Sequence, residues 1–555
     1  MERFKLPASA RLASCYKAGR DGFWLHRHLR SMRIENGKRE GQAGHLGEVN
    51  LEGAMNRKMK ISGLVGLLVS FAVLSPDVLS DDGSSGNNEF SRQQQLPNGV
   101  LFPNPTGFAA TISIAGRIDL TNEFFQDLGA NGRRCVSCHL PSAGWTITPP
   151  QVQAIFERTN GGTVPDSLGL GAIFRTNDGS NSPDADVTTL AARRSAYNML
   201  LTKGLIRVGI GVPASADFEL IAVDDPYGHA SSTELSLFRR PLPATNLRFL
   251  STVMWDGRET FSGTDHCNVA AEGGKCFASI HFDLADQSNG ATQGHAQALN
   301  PITDVQRESI VAFETALATA QVWDKDARRL RAAGANGGPE AIRGQTFYYG
   351  INDNLGDYHT GAPFSPIVFD LYDAWTQGPE EGRRAVARGQ EIFNTRPITI
   401  SGVAGLNFAS AFNPPLPASF QGTCTTCHDS PNVGDHSIVA PLNIGLADES
   451  RRTQDMPLYT LQEKCLTQSD GSKVVGPSCP AVSITDPGRA LISGKFADIG
   501  KFKGPILRGL AARAPYFHNG SAADLGAVVD FYNERFGAGI VGQDKEDLIA
   551  FLRAL

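Results

Sequence analysis

Cys135-Val136-Ser137-Cys138-His139 is the stretch from which the rest of the chain is read. Two thiols three positions apart can form thioethers to both vinyl groups of one haem, and the next residue, His139, then falls beneath the iron as its proximal ligand. The pattern recurs at Cys424-Thr425-Thr426-Cys427-His428. With 9 Cys and 12 His in 555 residues, chance supplies on the order of 0.003 copies of C-x-x-C-H. The two copies therefore predict two covalently bound haem c groups. A structural zinc site needs four clustered ligands, and each motif brings three.

A secretory signal is expected ahead of these motifs. From Met55 a basic start leads into the apolar run Ile61 to Leu74 and a small, polar exit through Ser80, too short for a comfortable membrane span. Residues 1–54, rich in Arg and Gly, read as a mis-annotated upstream segment and 55–80 as the signal, so no stable span is expected after cleavage. Residues 81–555 carry 38 Lys and Arg against 50 Asp and Glu, a net charge of −12. That balance excludes nucleic acid as a natural partner and suits a basic electron carrier. Cys267 with Cys276, and Cys465 with Cys479, each bracket a polar loop and are expected to be disulfides of an oxidising compartment. The expected location is periplasmic or secreted.

The chain length predicts more than one domain. Residues 81–117 read as an arm with little regular structure, 118–378 as a first haem c domain and 379–555 as a second. Before the first motif a short helix from Thr121 is expected through Phe124, Phe125 and Leu128. Pro149-Pro150 opens another, with Val152, Ile155 and Phe156 on one face. The runs 205–212 and 218–222 alternate as strands and suggest one hairpin. Thr303 to Gln306 has capping-box spacing, with Ile310, Phe313 and Leu317 continuing an apolar face. In the second half, helices are expected around Ala385 to Phe393, Leu525 to Phe536 and Leu548 to Leu555. The predicted fold class is mainly α: two tandem c-type cytochrome domains with long loops and a minor β-hairpin.

A sixth ligand decides whether a haem carries electrons or performs chemistry. No His follows the first motif until His229. An open first iron is therefore expected to react with peroxide or dioxygen, and the second haem to supply electrons; the alternative is that a distant His such as His295 folds back as a ligand. For the second haem, Met456 is the one Met in its own domain, and His436, His518 and Tyr532 are the other candidates.

These two motifs, together with Trp255-Asp256-Gly257-Arg258 and the run from Phe502-Lys503-Gly504-Pro505-Ile506-Leu507-Arg508 to Ala514-Pro515-Tyr516-Phe517-His518-Asn519-Gly520, resemble the bacterial di-haem cytochrome c peroxidase family over residues 118–555. That family includes the enzyme that matures the tryptophylquinone cofactor of methylamine dehydrogenase. The resemblance implies that Trp255 relays electrons between haems and that Arg258 pairs with a haem propionate. It puts Gln287 on the distal side of the peroxidatic haem, with Gln297 where the family has Glu and with His295 able to take over proton transfer. It puts Tyr532, as in the maturation enzyme, where most members have an axial Met. Arg194 stands where the family has an Asn that binds calcium, which argues against calcium there.

The function expected is peroxide reduction at the first haem, with a small donor protein, a cytochrome c or a cupredoxin, feeding the second. Two other classes stay open: a di-haem oxygenase acting on an apolar substrate with dioxygen, and a non-catalytic electron-transfer cytochrome.

Overall fold

The computed structural model describes residues 94–260, 280–407 and 416–555. Each C-x-x-C-H stretch begins as a single 3-10 turn, Cys135–Ser137 and Cys424–Thr426. The amide of the following histidine donates to the carbonyl of the first cysteine, at 3.1 Å for His139 and 3.2 Å for His428. So tight a turn gathers both thiols and the imidazole on one side of the backbone.

Among the described residues the fold is mixed rather than clearly mainly α: 30% are helical and 19% are in strands, spread over several small antiparallel sheets. Part of the discrepancy has a physical cause: several strands pair across long stretches of chain and so show no local partner, although Leu101–Asn104 does pair with its neighbour Gly107–Ser113. Residues of the supposed irregular arm form strands Leu101–Asn104 and Gly107–Ser113. The second pairs with Leu317–Asp324, placing Thr111 opposite Thr319. The expected hairpin does not form either. Ile206–Ile210 pairs with Leu235–Arg239, and Phe218–Asp224 pairs with Leu458–Glu463 from the other half of the chain.

Most of the expected helices are present. Pro149–Arg158 starts on its two prolines and buries Val152, Ile155 and Phe156. Asp304–Ala316 carries the reciprocal cap: Gln306 N donates to Thr303 Oγ1 at 3.3 Å and Thr303 N to Gln306 Oε1 at 3.0 Å, which satisfies two otherwise orphaned N–H groups. Glu381–Thr395, Leu525–Phe536 and Gln543–Ala554 complete the set. The helix expected from Thr121 shrinks to the 3-10 turn Glu123–Phe125. Just beyond it the backbone runs against Ala296, so closely that a Cβ on Gly129 would lie 1.9 Å from the Ala296 carbonyl oxygen.

These elements close two aromatic cores, one behind each motif. Phe124 packs against His139, Trp145 and Phe313 with centroids 6.2, 5.8 and 5.2 Å away. Phe393 packs against His428, Phe369 and Phe551 at 5.9, 5.4 and 5.7 Å. The last turn of the chain ties the halves together: Tyr372 Oη donates to Ala554 O at 2.6 Å and Gln321 N to Leu555 O at 3.1 Å. Cys465 and Cys479 are bonded as expected, while Cys267 and Cys276 lie outside the described residues. Among the described residues no helix is long and apolar enough to cross a membrane.

Candidate active site

Cys135, Cys138 and His139 open onto a cavity of about 430 Å³, within the range of ligand pockets. His139 Nδ1 lies 3.1 Å from the Trp145 carbonyl. That contact makes Nδ1 the protonated nitrogen and leaves Nε2 as the lone-pair donor on the other edge of the ring. Burial pushes the imidazole down to about 4, with the Trp145 carbonyl opposing, so the ring is in its neutral, ligating form. Both thiols are unbonded. Burial pushes them up, Cys138 to about 11, the reverse of what an activated redox thiolate needs. Two protonated thiols, a fixed neutral imidazole and a cavity of this size fit a haem.

Trp255, Arg258, Gln287 and His295 all line this cavity. His295 Nδ1 meets Asp178 Oδ2 at 2.8 Å, and Arg133 reaches the same oxygen at 2.8 Å. Burial alone would raise the Asp178 carboxyl, but His295 and Arg133 outweigh it and hold it below its usual range. His295 is thus a cavity wall steered by a carboxylate, close enough to His139 to oppose its protonation. Trp255 donates its indole N–H to Arg240 O at 2.7 Å. Arg258 spends its fork on Asp256, with bonds of 3.0 and 2.7 Å, where a propionate was expected. Asp256 also binds Arg239 at 2.6 Å, and Arg239 in turn chelates Asp486 from the second half at 2.7 and 2.9 Å.

Gln297 is not in the cavity. It is exposed, in a left-handed backbone conformation at φ 56°, and accepts a hydrogen bond from Asn131 at 3.3 Å. The helix Ile280–Gly294 has ended before it, so the ten-residue spacing from Gln287 no longer keeps both residues on one wall. Besides Asp178, two carboxylates that the motifs do not include line the cavity. Glu259, directly after the W-D-G-R stretch, is pushed up to about 7, first by burial and then by Asp286. Glu314 is pushed up to about 8 by burial alone and keeps Oε2 without a hydrogen bond. The sequence signals were Glu259's place beside the motif and a lone acid between Phe313 and Leu317 on an apolar helix face.

Around the second motif, His428 Nδ1 lies 2.6 Å from Gly434 O, the counterpart of the His139 arrangement. Cys424 and Cys427 share their core with Tyr516 and Tyr532. Burial, then the nearness of Cys427 and Cys424, drives the Tyr532 phenol up. Of the four ligand candidates, Tyr532 is the one packed with these cysteines. Met456 instead joins Met199, Leu205 and Phe238, because the strand that comes after it pairs with Phe218–Asp224 and carries it to the first half. His518 stacks on Phe502 at 4.1 Å and meets the edge of Trp255 at 6.2 Å. His436 faces Asp429. Arg194, at the family's calcium position, pairs with Glu157 at 2.7 Å on the surface.

No family model matches the chain. Cytochrome-c peroxidase IdrP1 of Pseudomonas sp. (strain SCT) is 34% identical over 143 residues, 24% of this chain and 36% of that protein. Cytochrome-c peroxidase IdrP2 of Denitromonas iodatirespirans is 35% identical over 145 residues, again 24% and 36%. IdrP1 of the same organism is 29% identical over 196 residues, 33% of this chain and 44% of that one. The matched segments thus span less than half the length of these curated relatives. Among solved structures, a MauG-like protein associated with microbial copper homeostasis aligns over 83% of this chain and 92% of its own, at 17% identity and a TM-score of 0.30. Over these segments the chain is similar to proteins named cytochrome-c peroxidase, a likeness that supports the di-haem cytochrome c peroxidase family to which its two C-x-x-C-H motifs also point.

Proposed function

We propose that the protein is a periplasmic or secreted oxidoreductase with two covalently attached haem c groups, reducing hydrogen peroxide in the first cavity with electrons that enter at the second haem. The observation that carries this reading is the meeting of Gln287, His295 and Glu259 around one cavity with Cys135, Cys138 and His139. Cys135, Cys138 and His139 would hold a haem, which would supply the redox chemistry for peroxide reduction. Hydrogen peroxide, two electrons and two protons yield two waters, so the walls must deliver protons. Glu259, with its carboxyl near 7, is half charged at neutral pH and suited to hold one proton and release it. His295 is a second carrier: Asp178 fixes Nδ1, leaving Nε2 for a ligand. Gln287 has an amide with which to orient peroxide.

Electrons would pass along an aromatic series. Trp255 borders the first cavity and touches His518. The residue before His518, Phe517, is 6.4 Å from Tyr532, and Tyr532 packs with the second pair of cysteines. The acidic surface suits a basic donor, a small cytochrome c or a cupredoxin. Tyr532 also favours a second reading, long-range oxidation of a partner as in the maturation enzyme, because a phenolate ligand stabilises oxidised iron.

The test combines mass and turnover. The denatured chain should retain the mass of two haems, and the native protein should oxidise two equivalents of reduced cytochrome c per peroxide. Absence of retained haem ends the proposal. Unconsumed peroxide removes the peroxidase activity from it.

A further inference from the structure

Outside the cavity, the Gly-rich segment 334–361, which reads as a connection or surface loop ahead of the second half, does something that a connecting loop need not do. It carries Asp353 into the interior, fully buried, against the loop after the second motif. There Asp353 meets Asp429 and His436, themselves 0% and 5% exposed. One donor atom from each residue lies within 4.8 Å of the other two. His436 Nε2 is 3.4 Å from Asp429 Oδ2 and 3.9 Å from Asp353 Oδ2.

The second oxygens of the two carboxylates are held by backbone amides. Asp429 Oδ1 accepts from Ser437 N at 2.6 Å, and Asp353 Oδ1 from Leu355 N at 2.9 Å. His436 Nε2 and Asp429 Oδ2 are buried and neither makes a hydrogen bond. An unsatisfied buried carboxylate oxygen is costly, and a facing neutral imidazole does not neutralise it. The buried cation nearby, Lys503, is matched to Asp435. Two buried carboxylates and one neutral imidazole thus converge on one point, with the Asp429 and His436 donor atoms open towards it.

We propose that Asp353, Asp429 and His436 bind one divalent first-row transition cation of the Zn²⁺ kind. The charges would balance: two carboxylates, a neutral imidazole and a dication sum to zero. The donor set is the mixed oxygen and nitrogen set that such ions take in preference to calcium or cuprous copper. The geometry is also close. Neighbouring ligands of a tetrahedral zinc, bonded at 2.0–2.1 Å, stand about 3.3 Å apart, which the His436–Asp429 separation already meets. Asp353, 3.9 Å from His436 and within 4.8 Å of Asp429, needs a side-chain shift of up to about 1.5 Å to reach the same spacing, and water completes the set. Such an ion would clip the Gly-rich segment to residues 429–436, the loop whose Gly434 carbonyl orients His428. The site requires no assumption about peroxide.

The experiment uses the haem-loaded protein, stripped with a chelator, incubated with Zn²⁺, desalted and analysed for zinc against haem iron. One retained zinc per chain is expected, falling to the chelated background in Asp353→Asn and His436→Gln variants that keep both haems. A wild-type protein that retains no zinc overturns the proposal, and so does equal retention by the folded variants. Should the variants fail to fold, anomalous diffraction at the zinc edge on wild-type crystals decides. A peak bonded to these three side chains supports the site, whereas a peak elsewhere or none overturns it.

Discussion

Glu259→Gln is the sharpest perturbation of the proposed chemistry. Its carboxyl lies on the cavity wall with Arg258 and Gln287. Burial pushes it up to about 7, Asp286 pushes in the same direction and Arg258 opposes. At pH 7 roughly half the molecules carry the proton. A positioned acid–base group of matched pKa contributes about 10²–10⁴-fold to proton transfer. The amide of Gln keeps the size and loses the proton, so kcat/KM for peroxide should fall by about 10²-fold or more. The inflection near pH 7 should disappear from the rate profile. Asp286→Asn removes one of the charges that raise the carboxyl and should move the inflection to lower pH. The assay is steady-state oxidation of reduced cytochrome c across pH 5–9, with retained haem checked by mass. Turnover within threefold of wild type and an unchanged inflection would refute the role of Glu259.

The other expectations concern stability and ligation. Asp256 is fully buried between Arg239 and Arg258, and Asp256→Asn should cost about 3–5 kcal/mol by leaving part of that charge uncompensated; a loss below about 1 kcal/mol in denaturant titration would contradict the network. Burial works against the Asp256 carboxylate, but the two arginines hold it at about 2, so this contribution should persist through pH 4 and vanish only as the pH falls towards 2. Glu314 has the opposite sign: burial raises it to about 8, the native state keeps the proton longer than the unfolded chain, and stability should fall by about 3–5 kcal/mol as the pH rises from 4.5 to 9. Glu314→Gln should flatten that decline, and parallel pH curves would count against it. Tyr532→Phe should shift the absorption and spin state of the second haem while Met456→Leu leaves them unchanged; the reverse pattern would return the ligand to Met456.

Short-range chemistry was legible from the residues in order. A C-x-x-C-H run needs one 3-10 turn to present its thiols and imidazole, so both motifs declared themselves without help from the fold. The Thr303 cap, the Pro149 helix start and the amphipathic C-terminal helices are also set within a few residues. The polar walls depended on more distant relations. Gln297 kept the right count from Gln287 and still fell outside, because the helix stopped at Gly294 and the next turn faced solvent. Glu259 and Glu314 entered the cavity because segments remote in sequence converge there. Met456 was carried away by a strand partner more than 200 residues earlier, and Asp353 was delivered to Asp429 by the Gly-rich segment 334–361, whose composition marks only a connection or surface loop. Covalent spacing acts over four or five residues and survives any fold. Burial, and the charge states it imposes, belongs to whichever surfaces the packed chain brings together.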